Sequence, residues 1–256
     1  MRIITTSWDD GFKESLDVAK LLRKYKLAGT FYIPIVRMYP EWFRSWRAAR
    51  RLLKYKSGGM HEGELRELSS RFEIGAHGVT HKPLTEISHG QTMGELELSK
   101  EFLEHFLCID VHGFAYPQGR HNDRTINQVK LAGYDYARTT VDGKLNFSDK
   151  FRMPVTAFCG SNLIGKLKFS ILSSANDVYA FGGDWEKSIL KAYRAMLRKG
   201  GVLHIAGHPQ DWCPTFKEKL ERVFAEISDN PYVKYLTNWE VANGLAKAST
   251  ETKRAF

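Results

Sequence analysis

The chain has 256 residues, of which 43% are hydrophobic and 12% aromatic, and it carries a formal net charge of +9. That is material for one large α/β domain or two small ones, and it excludes a chain dominated by disorder. Nowhere do eighteen apolar residues run together, so no transmembrane helix is expected.

The first strand is expected at Arg2–Thr6, which leaves no room for the charged, apolar and cleavage regions of a leader. The expectation is a protein that starts at Met1 and stays in the cytoplasm. Cys108, Cys159 and Cys213 fit neither a disulfide framework nor a zinc ribbon, and read as reduced thiols.

After that strand comes Ser7-Trp8-Asp9-Asp10-Gly11, then a predicted helix over Phe12–Tyr25 with Leu16, Ala19 and Leu22 on one stripe. Thr30–Ile35 is a second apolar, β-rich run. Strand, helix, strand within about thirty-five residues predicts a βαβ unit and a parallel sheet. Residues 37–60 interrupt the rhythm. From Arg37 to Lys56 there are seven Lys/Arg against the single acid Glu41. Trp42, Trp46, Ala49 and Leu53 share one helical face, and Arg44, Arg47, Arg51 and Lys54 another. The window fits a surface helix docked by its tryptophans; peripheral contact with an anionic membrane or polymer is the alternative.

The rhythm returns with a helix at Glu62–Arg71 and a strand at Phe72–Ala76. The loop His77-Gly78-Val79-Thr80-His81 follows, then a helix at Gln91–Leu107 and a strand at Gly113–Tyr116 ending in Pro117-Gln118-Gly119. Thr125–Leu131 reads as helix, Tyr134–Arg138 as extended, and 142–183 carries little pattern. Trp185–Lys199 is a helix, Val202–Ala206 a strand, Phe216–Ile227 a helix and Val233–Leu236 a closing strand. The alternation from Ile3 to Leu236, with no repeat or linker, predicts a single parallel α/β domain over 1–256 with a basic aromatic insertion at about 37–60.

Two adjacent carboxylates at a strand end are costly to ionise together unless a positive charge sits beside them. Taken alone, the pair reads equally well as the cap of the following helix. His77 and His81, four apart beside a glycine, can put both imidazoles on one metal ion. With Asp10 they make a set of two nitrogens and one oxygen that leaves positions open for water and substrate. Such a set suits zinc, iron, cobalt or nickel.

These stretches resemble the motifs of the polysaccharide deacetylases (the NodB-homology domain, carbohydrate esterase family 4). Ser-Trp-Asp-Asp-Gly is similar to Thr-Phe-Asp-Asp-Gly. The block Glu73–His81 is similar to Glu-Ile-Gly-x-His-(Ser/Thr)-x-x-His, Phe114–Gly119 to Phe-Ala-Tyr-Pro-Tyr-Gly, and Leu203–His208 to a final strand ending in histidine. The resemblance implies a distorted (β/α)7-type barrel. It implies Asp10, His77 and His81 as ligands of one divalent metal ion, zinc first, and Asp9 as general base. The Tyr116-Pro117-Gln118-Gly119 turn would serve substrate and oxyanion, through the Gln118 N–H. His208 is expected as general acid in preference to His204, whose place inside the strand suits a packed core histidine. Asp142, with Arg138 nearby, stands where the family keeps an Asp that tunes the acid.

Two departures stand out. Ala115 occupies the place of an arginine that orients the base, so Arg152 is the candidate replacement; and Gln118 stands for an aromatic. The implied activity is removal of acetyl from an N-acetylated amino sugar in an intracellular glycan or a nucleotide- or lipid-linked precursor. Hydrolysis of another C–N bond, such as a cyclic amide, and silent carbohydrate binding are the alternatives. No recognition motif accompanies the basic window, so nucleic acid is not expected as a partner.

Overall fold

The structure is a computed structural model that describes residues 1–38, 58–141, 143–160 and 184–244. The basic window therefore falls mostly outside the described residues, and Asp142 falls outside them altogether. Among the described residues no helix is long and apolar enough to cross a membrane.

The strands are β1 (Arg2–Trp8), β2 (Thr30–Ile33), β3 (Glu73–Ala76), β4 (Gly113–Ala115), β5 (Tyr136–Val141), β6 (Met153–Val155), β7 (Ala157–Cys159), β8 (Gly201–Gly207) and β9 (Lys234–Tyr235). All pair in parallel, in the order β6-β5-β4-β3-β2-β1-β8-β7, with β9 beside the start of β1. Among the described residues six longer helices lie on the outside: α1 (Ser15–Lys24), α2 (Glu62–Ser69), α3 (His89–Leu107), α4 (Asp123–Leu131), α5 (Trp185–Lys199) and α6 (Pro214–Ile227). Each buries one stripe; in α5 it is Ile189, Ala192, Tyr193 and Met196, spaced three and four apart.

β6 and β7 are two halves of one extended run, broken only at Thr156. The first half lies on β5 and the second on β8, so the run joins both ends of the sheet order and closes the circle. The result is a nearly closed (β/α) barrel, as the family resemblance implies. Thr156 fastens the seam. Its N–H donates to His204 C=O (2.9 Å), and its hydroxyl accepts from His204 N–H (3.1 Å). The hydroxyl also lies 2.9 Å from Lys144 C=O and 3.2 Å from Val202 C=O.

The barrel interior carries polar groups, most of them paired, although Arg138 Nε has no hydrogen-bond partner among the described residues. At the start of the strands the half-buried Glu73 carboxylate accepts from Tyr136 OH (2.6 Å), Thr30 OH (2.7 Å) and Trp239 N–H (3.0 Å). Asn238 donates to Tyr32 OH (2.9 Å), Tyr32 lies 2.9 Å from Tyr136 OH, and Thr5 OH donates to Asn238 (2.8 Å). Burial raises the Glu73 carboxyl above its usual range. This network plugs one end of the barrel and leaves the other, at the strand C-termini, for chemistry.

Thr156→Val keeps the shape of the seam but leaves the buried His204 N–H without its acceptor. Denaturant unfolding should show a loss of about 1–3 kcal/mol with an unchanged m-value.

Candidate active site

Asp10 and Gly11 both take left-handed backbone, with φ of 73° and 63°. Aspartate tolerates this region, and at Gly11 a Cβ would press on Ile33 at 3.2 Å. The turn delays the helix. Phe12 bridges to Gly59, and α1 begins only at Ser15, with Glu14 at the N-cap position and no side-chain capping bond. Neither Asp9 nor Asp10 is therefore a helix cap, and the expected start at Phe12 is three residues early.

The turn sends the two carboxylates to different neighbours. Asp9 is buried, and its Oδ1 accepts from the Arg138 guanidinium. Burial by itself would raise the Asp9 carboxyl, but Arg138, with His77 and His208, holds it below the usual carboxylate range. Asp10 Oδ1 lies 3.1 Å from His81 Nε2 and 3.8 Å from His77 Nε2. Burial opposes ionisation here too, and the His81 hydrogen bond and the neighbouring imidazoles override it, driving Asp10 far down. Its Oδ2 accepts from Gln210 Nε2 (2.9 Å).

The two Nε2 atoms of His77 and His81 are 3.1 Å apart. His77 Nδ1 faces Ala115 C=O at 2.7 Å, a bond that only its N–H can make, so its Nε2 lone pair points into the cluster. Burial pushes the His77 imidazole down to about 4, which keeps that ring neutral near pH 7. One ligand atom from each of Asp10, His77 and His81 lies within 4.8 Å of the others. Separations of 3.1, 3.1 and 3.8 Å bracket the edge of about 3.3 Å expected between ligands of a tetrahedral zinc ion. The residues fit a divalent cation.

His208 Nε2 is 4.0 Å from Asp9 Oδ2, and its ring leans on Phe158 at 4.8 Å. His204 lies deeper. Its Nδ1 meets Pro154 C=O at 2.7 Å and its Nε2 meets Ser7 Oγ at 2.9 Å. Burial takes its pKa down to about 3, in keeping with a neutral core histidine.

Residues 1–137 match the family model described as "Polysaccharide deacetylase". The chain belongs to the polysaccharide deacetylase family. Among solved structures it is similar to a putative polysaccharide deacetylase from Mycobacterium smegmatis, at 18% identity and TM-score 0.62 over 97% of this chain and 92% of that one. The Xyl-CE4 domain of a multidomain xylanase from the hindgut metagenome of Trinervitermes trinervoides matches at 14% identity and TM-score 0.55, over 95% and 90%. A Streptococcus pyogenes deacetylase, PplD, solved with acetate, is 22% identical with TM-score 0.47. That match covers 58% of this chain and 62% of PplD. No curated protein matches.

Set against the family pattern, the expectation for Arg152 needs correcting. Arg152 does not reach Asp9. It is half exposed and pairs with Asp123 and Asp149 on the outside. The guanidinium beside Asp9 is that of Arg138 on β5, and Arg138 is the register partner of Ala115 on β4. The cation missing from one strand is thus supplied by the next, at the same height. A signal for it lay in the sequence: Arg138 shares strand parity with the inward-facing Tyr136.

The turn after β4 also differs from expectation. Tyr116 and Pro117 are buried, and the Tyr116 hydroxyl donates to Phe151 C=O (3.2 Å), so this ring is packing rather than a substrate surface. Gln118 takes left-handed backbone (φ 57°). The bonds that close the turn run from Gly119 N–H to Tyr116 C=O and from Arg120 N–H to Pro117 C=O, leaving the Gln118 N–H outside them.

Arg138→Ala should lower turnover about 100-fold by freeing the Asp9 carboxylate. Adding Ala115→Arg in that background should restore part of the loss, measured as kcat/KM on folded protein. A second expectation concerns pH. His204 titrates near 6.5 when unfolded and near 3 in the fold, so below pH 6.5 the unfolded chain binds a proton the native chain refuses. Native stability therefore falls as pH drops, by about 2 kcal/mol from this ring at about pH 5. In the metal-free protein, His204→Gln should flatten the plot of unfolding free energy against pH by that amount.

Proposed function

We propose that this chain is a metal-dependent carbohydrate N-deacetylase, a hydrolase that removes acetyl from an N-acetylated amino sugar of a glycan or glycan precursor. The observation that carries the reading is the convergence of Asp10, His77 and His81 within 4.8 Å, with the ionised Asp9 one residue away and His208 beside it. Family membership supports the reaction class.

In this reading Asp10 Oδ1 and the Nε2 atoms of His77 and His81 hold one divalent ion, zinc by the donor set, with nickel, cobalt and iron as competitors. Such an ion supplies Lewis acidity, polarising the acetyl carbonyl and lowering the pKa of water. Asp9 has its Oδ1 engaged by Arg138, which leaves Oδ2 to take the proton of the attacking water. The Gln118 N–H, which the turn's own hydrogen bonds leave out, would donate to the oxyanion. His208 Nε2 gives a proton to the sugar nitrogen as the C–N bond breaks, so acetate and a free amine leave together.

The test is acetate release from N-acetylhexosamine oligomers and from nucleotide- and lipid-linked N-acetylhexosamines, after loading with each metal. Asp10→Ala and His77→Ala should abolish both metal binding and release, and His208→Ala should slow release by about 10²–10⁴. Undiminished release by the Asp10→Ala/His77→Ala double variant would falsify the metal role. Sugar binding without turnover across the panel would point to a silent homologue.

A further inference from the structure

The two candidate histidine ligands are held by different means. His77 directly follows β3 and is braced through Nδ1 on Ala115 C=O. His81 lies four residues into the loop, with φ of 62°. Among the described residues, the groups found within hydrogen-bond distance of its ring are the other two candidate ligands. Its place therefore depends on the loop backbone.

That backbone is gripped from two sides. On one side, the turn after β2 donates from Ile35 N–H to Gly78 C=O (3.1 Å) and from Val36 N–H to Val79 C=O (2.9 Å). On the other, a single carboxylate, Glu95 of α3, collects three donors. Its Oε2 accepts from Val79 N–H (2.7 Å) and Thr80 N–H (2.8 Å), and its Oε1 from Thr80 OH (2.5 Å). Successive backbone N–H groups converging on one anion form a nest, which a left-handed residue at its start makes possible. Gly78 supplies that residue, with φ of 78°, and a Cβ there would stand 2.9 Å from Glu95 Oε2. Gly78 stands where the family pattern quoted above has Ser or Thr.

We infer that Glu95 is the positioning residue for His81, setting the affinity of the metal centre through the loop and not by touching the ion. This rests on reading Asp10, His77 and His81 as the metal ligands. Outer partners of metal ligands typically contribute about 10–100-fold in affinity.

The experiment titrates purified wild-type protein, stripped of metal, with zinc and with cobalt, following heat and the cobalt d–d spectrum. Glu95→Ala should bind about 10–100-fold more weakly, with an altered cobalt spectrum. Glu95→Gln keeps the shape but offers one carbonyl oxygen; it should fall between, and serves as the informative variant if Glu95→Ala does not fold. Ser99→Ala is the control. Ser99 lies on the same helix, 3.1 Å from Tyr134 OH and away from the loop, so its loss should lower apo stability and leave metal affinity unchanged. Wild-type affinity in a folded Glu95→Ala protein overturns the role of Glu95 alone, as does an equal weakening in Ser99→Ala. If wild type binds neither ion, the metal reading of the site falls and this role with it.

Discussion

Two neighbouring carboxylates at the end of one strand can both stay ionised only when each has its own charged or hydrogen-bonding partner. Here the left-handed turn at Asp10 and Gly11 meets that constraint by separating the side chains. Asp9 goes into the barrel onto a buried guanidinium, and Asp10 goes over the rim to two imidazoles. Burial penalises both charges, and in both the partner prevails. Removing one partner of such a buried pair is far costlier than the pair is worth, because the other charge is left stranded. The arrangement is therefore interdependent: β1, β5 and the loop after β3 must all be in place before any of these groups is tolerable.

The barrel supplies that placement through its closure. Strands of parallel sheets carry side chains alternately to the helix layer and to the axis, so every second residue of β1, β5 and β8 competes for one narrow interior. Aromatic and polar groups fill it. Tyr32, Tyr136, Asn238 and Glu73 satisfy one another at the base, and His204 satisfies Ser7 and Pro154 midway. Arg138 lies over the Tyr32 ring at 5.0 Å on its way to Asp9. The base of the barrel is thus the support on which the catalytic end stands.

Much of this was legible from residue patterns, for specific reasons. Strand and helix periodicity placed β1, β2, β8, α3, α5 and α6 to within two residues at either end, because each buries a whole face. The His77/His81 spacing and the Asp9-Asp10 pair stood out because the chemistry needs those residue types locally. The β6–β7 run, by contrast, stayed hidden in 142–183: two three-residue strands around Thr156 are too short to show a period. Glu95 also escaped notice, since a glutamate on an amphipathic helix looks like any solvated charge.

The sequence by itself determined the alternation that makes a parallel barrel, the order of the motifs and the identities of the three candidate ligands. These are properties of local spacing, and local spacing is written along the chain. Only the tertiary structure decided which arginine meets Asp9 and what grips the loop before α3. Those depend on strand register and on which side chains share the barrel axis. Arg138 and Ala115 are twenty-three positions apart in the chain and level with each other in the sheet, a relation that exists only once the strands have paired.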